Sequence, residues 1–223
     1  MAASGYTTRP NEPDPDCSLC QRLHRFALEN RDRFPGWHNA PVETWYPPEG
    51  PAAVELLIVG LAPGLRGANR TGVPFMGDDS GALLHETLAR HGLTEDGARH
   101  LAQDRPRLKG VAITNAVRCV PPGNKPFAAE VNTCRQFLAA ALEGMPRLKI
   151  VITLGKIAHD STVRALGGKP AHHPFAHGAE TGIGNIRVVS SYHCSRYNTN
   201  TGRLTVDMFD AIFDSAVKHL TAT

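Results

Sequence analysis

Four short apolar runs rich in Val, Ile and Leu, each leading into a loop and then a stretch of helical spacing, constrain this chain more than any other feature. They are VELLIVG (54–60), VAITNAV (111–117), KIVITLG (149–155) and NIRVVSSYH (185–193). Runs of this length and β-branching read as strands buried on both faces. The segments between them carry apolar residues at helical spacing. Helices are predicted over 80–92, with Ser80 as cap and Gly92 as stop, over 128–144, over KIAHDSTVRALG, and over 204–220 at the close. A leading helix is predicted over about 17–31, where Leu19, Leu23, Phe26 and Ala27 recur at helical spacing. Strand–helix alternation predicts an α/β fold: a three-layer α/β/α sandwich with a central, mostly parallel four-stranded sheet. The 223 residues fit one domain over 17–223, behind a polar, Pro-rich lead-in at 1–16 that is predicted to be flexible.

In such folds functional loops lie beyond the carboxyl ends of the strands. Three unusual segments fall there, at 60–81, 115–126 and 193–203, and they are predicted to meet in one cleft. Charge says less. With 24 Lys and Arg against 21 acids the net charge is +3, which permits nucleic-acid binding without demanding it. The N-terminus shows no apolar signal core, and no run approaches the ~18 apolar residues of a membrane span. A soluble, intracellular (cytoplasmic) protein that makes no membrane contact is expected.

Five cysteines in a reducing compartment point to metal binding rather than to disulfides. Cys17 and Cys20 form a C-x2-C pair, one helical turn apart. Cys119 sits in a loop after a strand, and Cys134 lies 15 residues on, in the following helix. Two pairs complete a four-thiolate set, and the spacing suits structural zinc and an iron–sulfur cluster equally. Buried structural thiols are the plain alternative. Cys194 is the odd one out, since four ligands satisfy either centre.

The loop GLAPGLRGANRTGVPFMGDDSG (60–81) lacks both the Walker pattern and G-x-G-x-x-G, so a nucleotide cofactor is a poor reading. Gly60 and Gly64 flank Pro63 and let backbone N–H groups approach a ligand closely. Phe75 is an aromatic inside a polar loop, where it either stacks on a planar base or plugs the core. Asp78, just before a helix, would on its own be read as a helix-start charge. At the other end of the chain His193 and Cys194 are adjacent in SYHCSRYNTNTGRLT. Neighbouring side chains of an extended segment point to opposite faces, which makes them a poor nucleophile–base pair.

Taken together these segments resemble the uracil-DNA glycosylase superfamily, most closely its family 5, the B-type iron–sulfur enzymes. The resemblance rests on GLAPG, GANRTG (67–72), FMGDDSG (75–81), TNAVRC (114–119), PFAHGAE (174–180), YHCSRYNTNTGRLT and the four cysteines, and spans roughly 14–220. It implies that Gly60, Leu61, Ala62, Pro63 and Gly64 form the wall receiving the base and that Phe75 stacks on the flipped uracil. It implies further that Asn115 reads the uracil edge, that His193 contacts the uracil O2, and that Asp78 assists water or the sugar cation. Cys17, Cys20, Cys119 and Cys134 would hold a [4Fe-4S] cluster. The loop carrying Arg196, Tyr197, Asn198, Asn200 and Arg203 would enter the minor groove and touch phosphates or bases. Three positions depart from the family pattern: Gly64 for Ala, Arg66 for His, and Cys194 for Pro.

The function this implies is base-excision repair by a monofunctional hydrolase. It would flip uracil, and deaminated purines as well, out of single- or double-stranded DNA and cleave the N-glycosidic bond to leave an abasic site. A monomer, nucleoid-associated when bound to DNA, is expected. The rival from another class is an iron–sulfur protein that binds damaged DNA or senses redox state without cleaving anything. A zinc-bound α/β protein is a third reading.

Overall fold

A computed structural model describes residues 12–95 and 105–221. The four expected strands are present as β1 (Leu56–Gly60), β2 (Val111–Asn115), β3 (Ile150–Leu154) and β5 (Ile186–Ser191). The expected four-stranded sheet gains a fifth, β4 (Glu180–Ile183), which pairs antiparallel with β5 at the sheet edge, giving the order β2-β1-β3-β5-β4. β4 alternates exposed and half-buried residues and contains Gly182, so it shows no apolar run. Its signal was the Gly184–Asn185 pair, a two-residue hairpin turn in which Gly184 takes φ +58°.

The other pairings are parallel. Successive residues of β1 serve opposite faces, as a strand requires. Leu56 and Ile58 join Leu84 and Leu88 of α3 (Asp79–Arg90) and Phe209, Ile212 and Phe213 of α7 (Val206–Thr221). Leu57 and Val59 join Leu138, Ala141 and Leu142 of α4 (Ala128–Glu143) and Ala158 of α5 (Lys156–Ala165). These two cores are the interfaces of a three-layer sandwich. α1 (Gln21–Arg33) lies outside them, and its Leu23 seals a small third core with Val117, Val131 and Cys134.

Several boundaries differ from the sequence expectation. The leading helix begins at Gln21, after the cysteine pair, with Cys20 at its N-cap position. The cap of α3 is Asp78, not Ser80: its Oδ1 accepts the Gly81 N–H at 3.1 Å. The segments expected as loops hold two short helices, α2 (Ala68–Thr71) and α6 (Arg196–Asn200). In the predicted lead-in, the side chain of Glu12 is buried and pairs by charge with the fully buried Arg118 at 3.0 Å. No described helix is long and apolar enough to cross a membrane.

Candidate active site and cysteine centre

β1 is flanked by β2 on one side and β3 on the other, so the crossovers diverge at the carboxyl end of β1 and open a crevice there. A cavity of about 360 Å³ occupies it, within the range of small-molecule sites. Leu61, Ala62, Pro63, Gly64, Phe75, Asp78, Asn115 and His193, all named from the sequence, line it. Ala68, Asn124 and Ser195, which the sequence did not single out, line it too, as does Ser80, expected only as a helix cap.

Gly60 and Asn115 end their strands in register. A Cβ on Gly60 would collide with Asn115 Oδ1 and with the Phe75 ring, at 2.6 Å from its Cζ. The glycine is thus the space in which the amide and the aromatic ring meet. Asn115 is 3% exposed, yet its side chain bonds to no described residue. A buried amide left open toward a cavity keeps a donor and an acceptor free for whatever enters it.

Phe75 is both core and cavity wall. It is buried, packs in the α3-side core, and takes φ +56°, a left-handed conformation costing of order 1–3 kcal/mol for such a residue. Two contacts hold it there. His85 Nε2 donates to the Phe75 carbonyl at 2.9 Å, and Gly81 has no Cβ to strike that carbonyl. Burial lowers the His85 pKa, which keeps the ring neutral with its proton on Nε2.

Asp78 is the helix-start acid the sequence offered, and it also lines the cavity. One carboxylate oxygen caps α3, and the other lies against the backbone of Gly64 and Gly67, 3.0 Å from where a Gly64 Cβ would stand. His193 follows β5, with its ring near-parallel to Phe75 at 6.0 Å between centroids. Burial lowers its pKa below the ordinary 6.5, against an opposing pull from Asp78. His193 is therefore a neutral imidazole at pH 7, able to donate a hydrogen bond without bringing a charge.

The residues after His193 divide. Asn198, expected at the DNA, spends its amide on the His193 carbonyl at 2.8 Å and so fixes the histidine's backbone. Ser195 caps the short helix α6. Arg196 pairs with Asp79 at 3.3 Å, Tyr197 is 72% exposed, Asn200 is exposed, and Arg203 lies over the Tyr192 ring at 4.6 Å. None of the five residues expected at the DNA, Arg196, Tyr197, Asn198, Asn200 and Arg203, lines the cavity. Cys194 faces the core, as the alternation argument requires. Its thiol donates to the Ser80 carbonyl at 3.5 Å, burial pushes its pKa up to about 12, and it does not line the cavity. The PFAHGAE segment buttresses the same place: His177 stacks on Tyr192 at 5.0 Å and accepts its backbone N–H.

Cys17, Cys20, Cys119 and Cys134 line one small apolar cavity with Leu23 and Phe137. Burial and mutual repulsion raise the thiol of Cys20 to about 11 and that of Cys119 further, and burial raises Cys134 against the neighbouring Arg118. The Arg118 backbone N–H donates to Cys134 Sγ at 3.2 Å. Four converging thiols that repel one another as thiolates suit a cationic sulfur-ligated centre. Among the described residues no three such side chains lie close enough to hold a single ion.

A cavity built beyond the strand ends, with an aromatic wall, an open amide, a neutral histidine and a carboxylate, defines an α/β protein with a small-molecule-sized polar site. Residues 47–217 match the family model of the uracil DNA glycosylase superfamily. The chain is 40% identical over 197 residues to the type-5 uracil-DNA glycosylase of Thermus thermophilus, covering 86% of this chain and 89% of that one. It is 39% identical over 212 residues to the type-5 enzyme of Mycobacterium bovis, covering 91% and 77%. The crystal structure of Pedobacter heparinus SMUG2 shares the fold, with a TM-score of 0.50 at 14% identity, covering 100% of this chain and 94% of that one. This chain belongs to the type-5 uracil-DNA glycosylases of that superfamily.

Proposed function

We propose that this protein excises uracil, and deaminated purines as well, from single- or double-stranded DNA, as a monofunctional monomer. The observation that supports it most is the convergence of Phe75, Asn115, Asp78 and His193 on one cavity. The target base must leave the stack to reach such a cavity. Phe75 then takes its face, and the open amide of Asn115 its polar edge. As the C1′–N bond breaks, its electron pair goes to the base and positive charge grows on the sugar. Neutral His193 donates to the developing anionic oxygen, an interaction worth roughly 2.7–4 kcal/mol in such preorganised sites. Asp78 stabilises the sugar cation or accepts the proton of the attacking water. A lyase would need an amine nucleophile, and no lysine lies in 60–81 or 193–203; Lys125, in the middle loop, is the one to watch.

Cys17, Cys20, Cys119 and Cys134 would hold a [4Fe-4S] cluster, which when bound supplies positive charge among the thiolates and cross-links the start of α1 to β2 and α4. Arg196, Tyr197, Asn200 and Arg203 are our candidates for contact with the DNA backbone, with Asn198 acting through His193. The deciding experiment is incubation of pure, cluster-loaded protein with a uracil-containing oligonucleotide. Alkali-labile sites are expected at uracil. Band shifts without base release would instead favour the binding-only rival.

A further inference from the structure

Asn124 also lines the cavity. It is exposed at the rim, and its side chain bonds to no described residue. Its backbone is held in an unusual shape. Gly123 and Asn124 take φ +62° and +57°, and the Asn124 N–H donates to the Pro121 carbonyl at 3.0 Å. A turn with two left-handed residues in succession aims one particular side chain, and asparagine is among the few residues that tolerate the conformation.

The turn is also clamped from outside. Arg22, two residues past Cys20 on α1, donates to the Lys125 carbonyl at 3.2 Å. Its guanidinium grips Glu130 with two bonds, of 2.7 and 2.6 Å, and lies 3.7 Å from the centre of the Phe127 ring. Glu130 in turn accepts the Phe127 N–H at 2.7 Å. A planar bidentate fork backed by an aromatic ring fixes position far better than a lone ammonium would. The clamp immobilises the segment on the far side of Asn124 from Pro121, so the rim amide is held from both ends.

Building on the base-excision reading above, we propose that Asn124 is a substrate-contacting residue. Its amide hydrogen-bonds the extruded nucleotide at the mouth of the cavity, and Arg22 is the residue that positions it. The amide offers both a donor and an acceptor. It suits the outer edge of a base or a flanking phosphate oxygen, whereas the cavity floor belongs to Asn115 and Phe75.

The test is steady-state excision by wild type, Asn124→Gly, Arg22→Lys and the double variant on uracil- and hypoxanthine-containing oligonucleotides. Glycine keeps the left-handed turn and removes only the amide. KM should rise about tenfold in Asn124→Gly with kcat nearly kept, the signature of lost binding rather than lost chemistry. Arg22→Lys should raise KM in the same direction, and the double variant should add nothing further, since both act through one contact. An unequal effect on the two bases assigns the amide to the base edge, and an equal one to the backbone. Unchanged KM in Asn124→Gly overturns the contact, and additive effects overturn the positioning role. A wild type that releases no base from either oligonucleotide removes the base-excision reading itself, an outcome distinct from both.

Discussion

The base cavity and the cysteine cavity both draw on the end of β2 and the segment after it, yet they are built on opposite principles. The base cavity is complete as the polypeptide folds. Its amide stands open, its histidine is already neutral, and its aromatic wall is held in a left-handed backbone by His85 and Gly81. The cysteine cavity is incomplete by its own chemistry. Its thiols are raised by burial and by one another, so the ionised state that binds metal is disfavoured until a cation arrives. One site is preorganised by backbone geometry, and the other is set by the burial and mutual repulsion of its thiols. Changes at the first should therefore cost rate, and changes at the second should cost stability.

The sharpest break of this contrast is His193→Ala. It should lower single-turnover excision by about 10²–10³-fold with little change in melting temperature. Arg196→Ala, on the exposed helix, should cost far less. Gly60→Ala comes next. Its methyl would enter the space shared by Asn115 and Phe75, and overpacking of about 1–3 kcal/mol at this spot should cut excision roughly 10–100-fold. A Gly60→Ala enzyme with full activity would show that the cavity is not preorganised as described. Cys119→Ala should abolish the visible absorption of the loaded protein. It should lower the melting temperature by on the order of 10 °C, since several kcal/mol of metal binding are linked to folding.

pH separates the two sites more gently. Burial holds the His193 pKa below 6.5 in the folded protein, while the unfolded chain takes up the proton near 6.5. The unfolded state thus binds more protons just below that value, and His193 and His85 together should make stability fall as pH drops through and below 6.5. Well above 6.5, where both states have lost the proton, these two histidines contribute no slope. Because the Asp78 charge opposes the effect of burial, Asp78→Asn should move the His193 ring titration to still lower pH, which NMR of the ring protons would read. The smallest effect is expected at Cys194→Ser, which swaps one buried donor for another against the Ser80 carbonyl. Excision should be retained, and a dead protein with an intact cluster would return the thiol to the mechanism.

Much of the site could be read in the chain because glycines, an isolated aromatic and strand-end residues each carry a local reason for being there. Four apolar runs defined the strands, and their carboxyl ends named Gly60, Asn115 and His193. β4 escaped because an edge strand needs no continuous apolar run, and Asn124 and Ser195 escaped because polar loop residues look alike in one dimension. Asn198 shows the same limit from the other side. The sequence put it in a polar loop, but only the folded chain turned its amide onto the His193 carbonyl.

What the sequence by itself determined is the layered α/β architecture, the loops that meet at the strand ends and the candidate thiols, since periodicity and residue chemistry are local properties. The tertiary structure alone decided which polar groups remain open. Asn115 and Asn198 are both amides within reach of one histidine loop, and their fates differ only in what packs beside them. The neutral state of His193, the raised thiols and the burial of Arg118 against Glu12 are likewise products of desolvation. Desolvation depends on neighbours distant in the chain, and no local pattern encodes it.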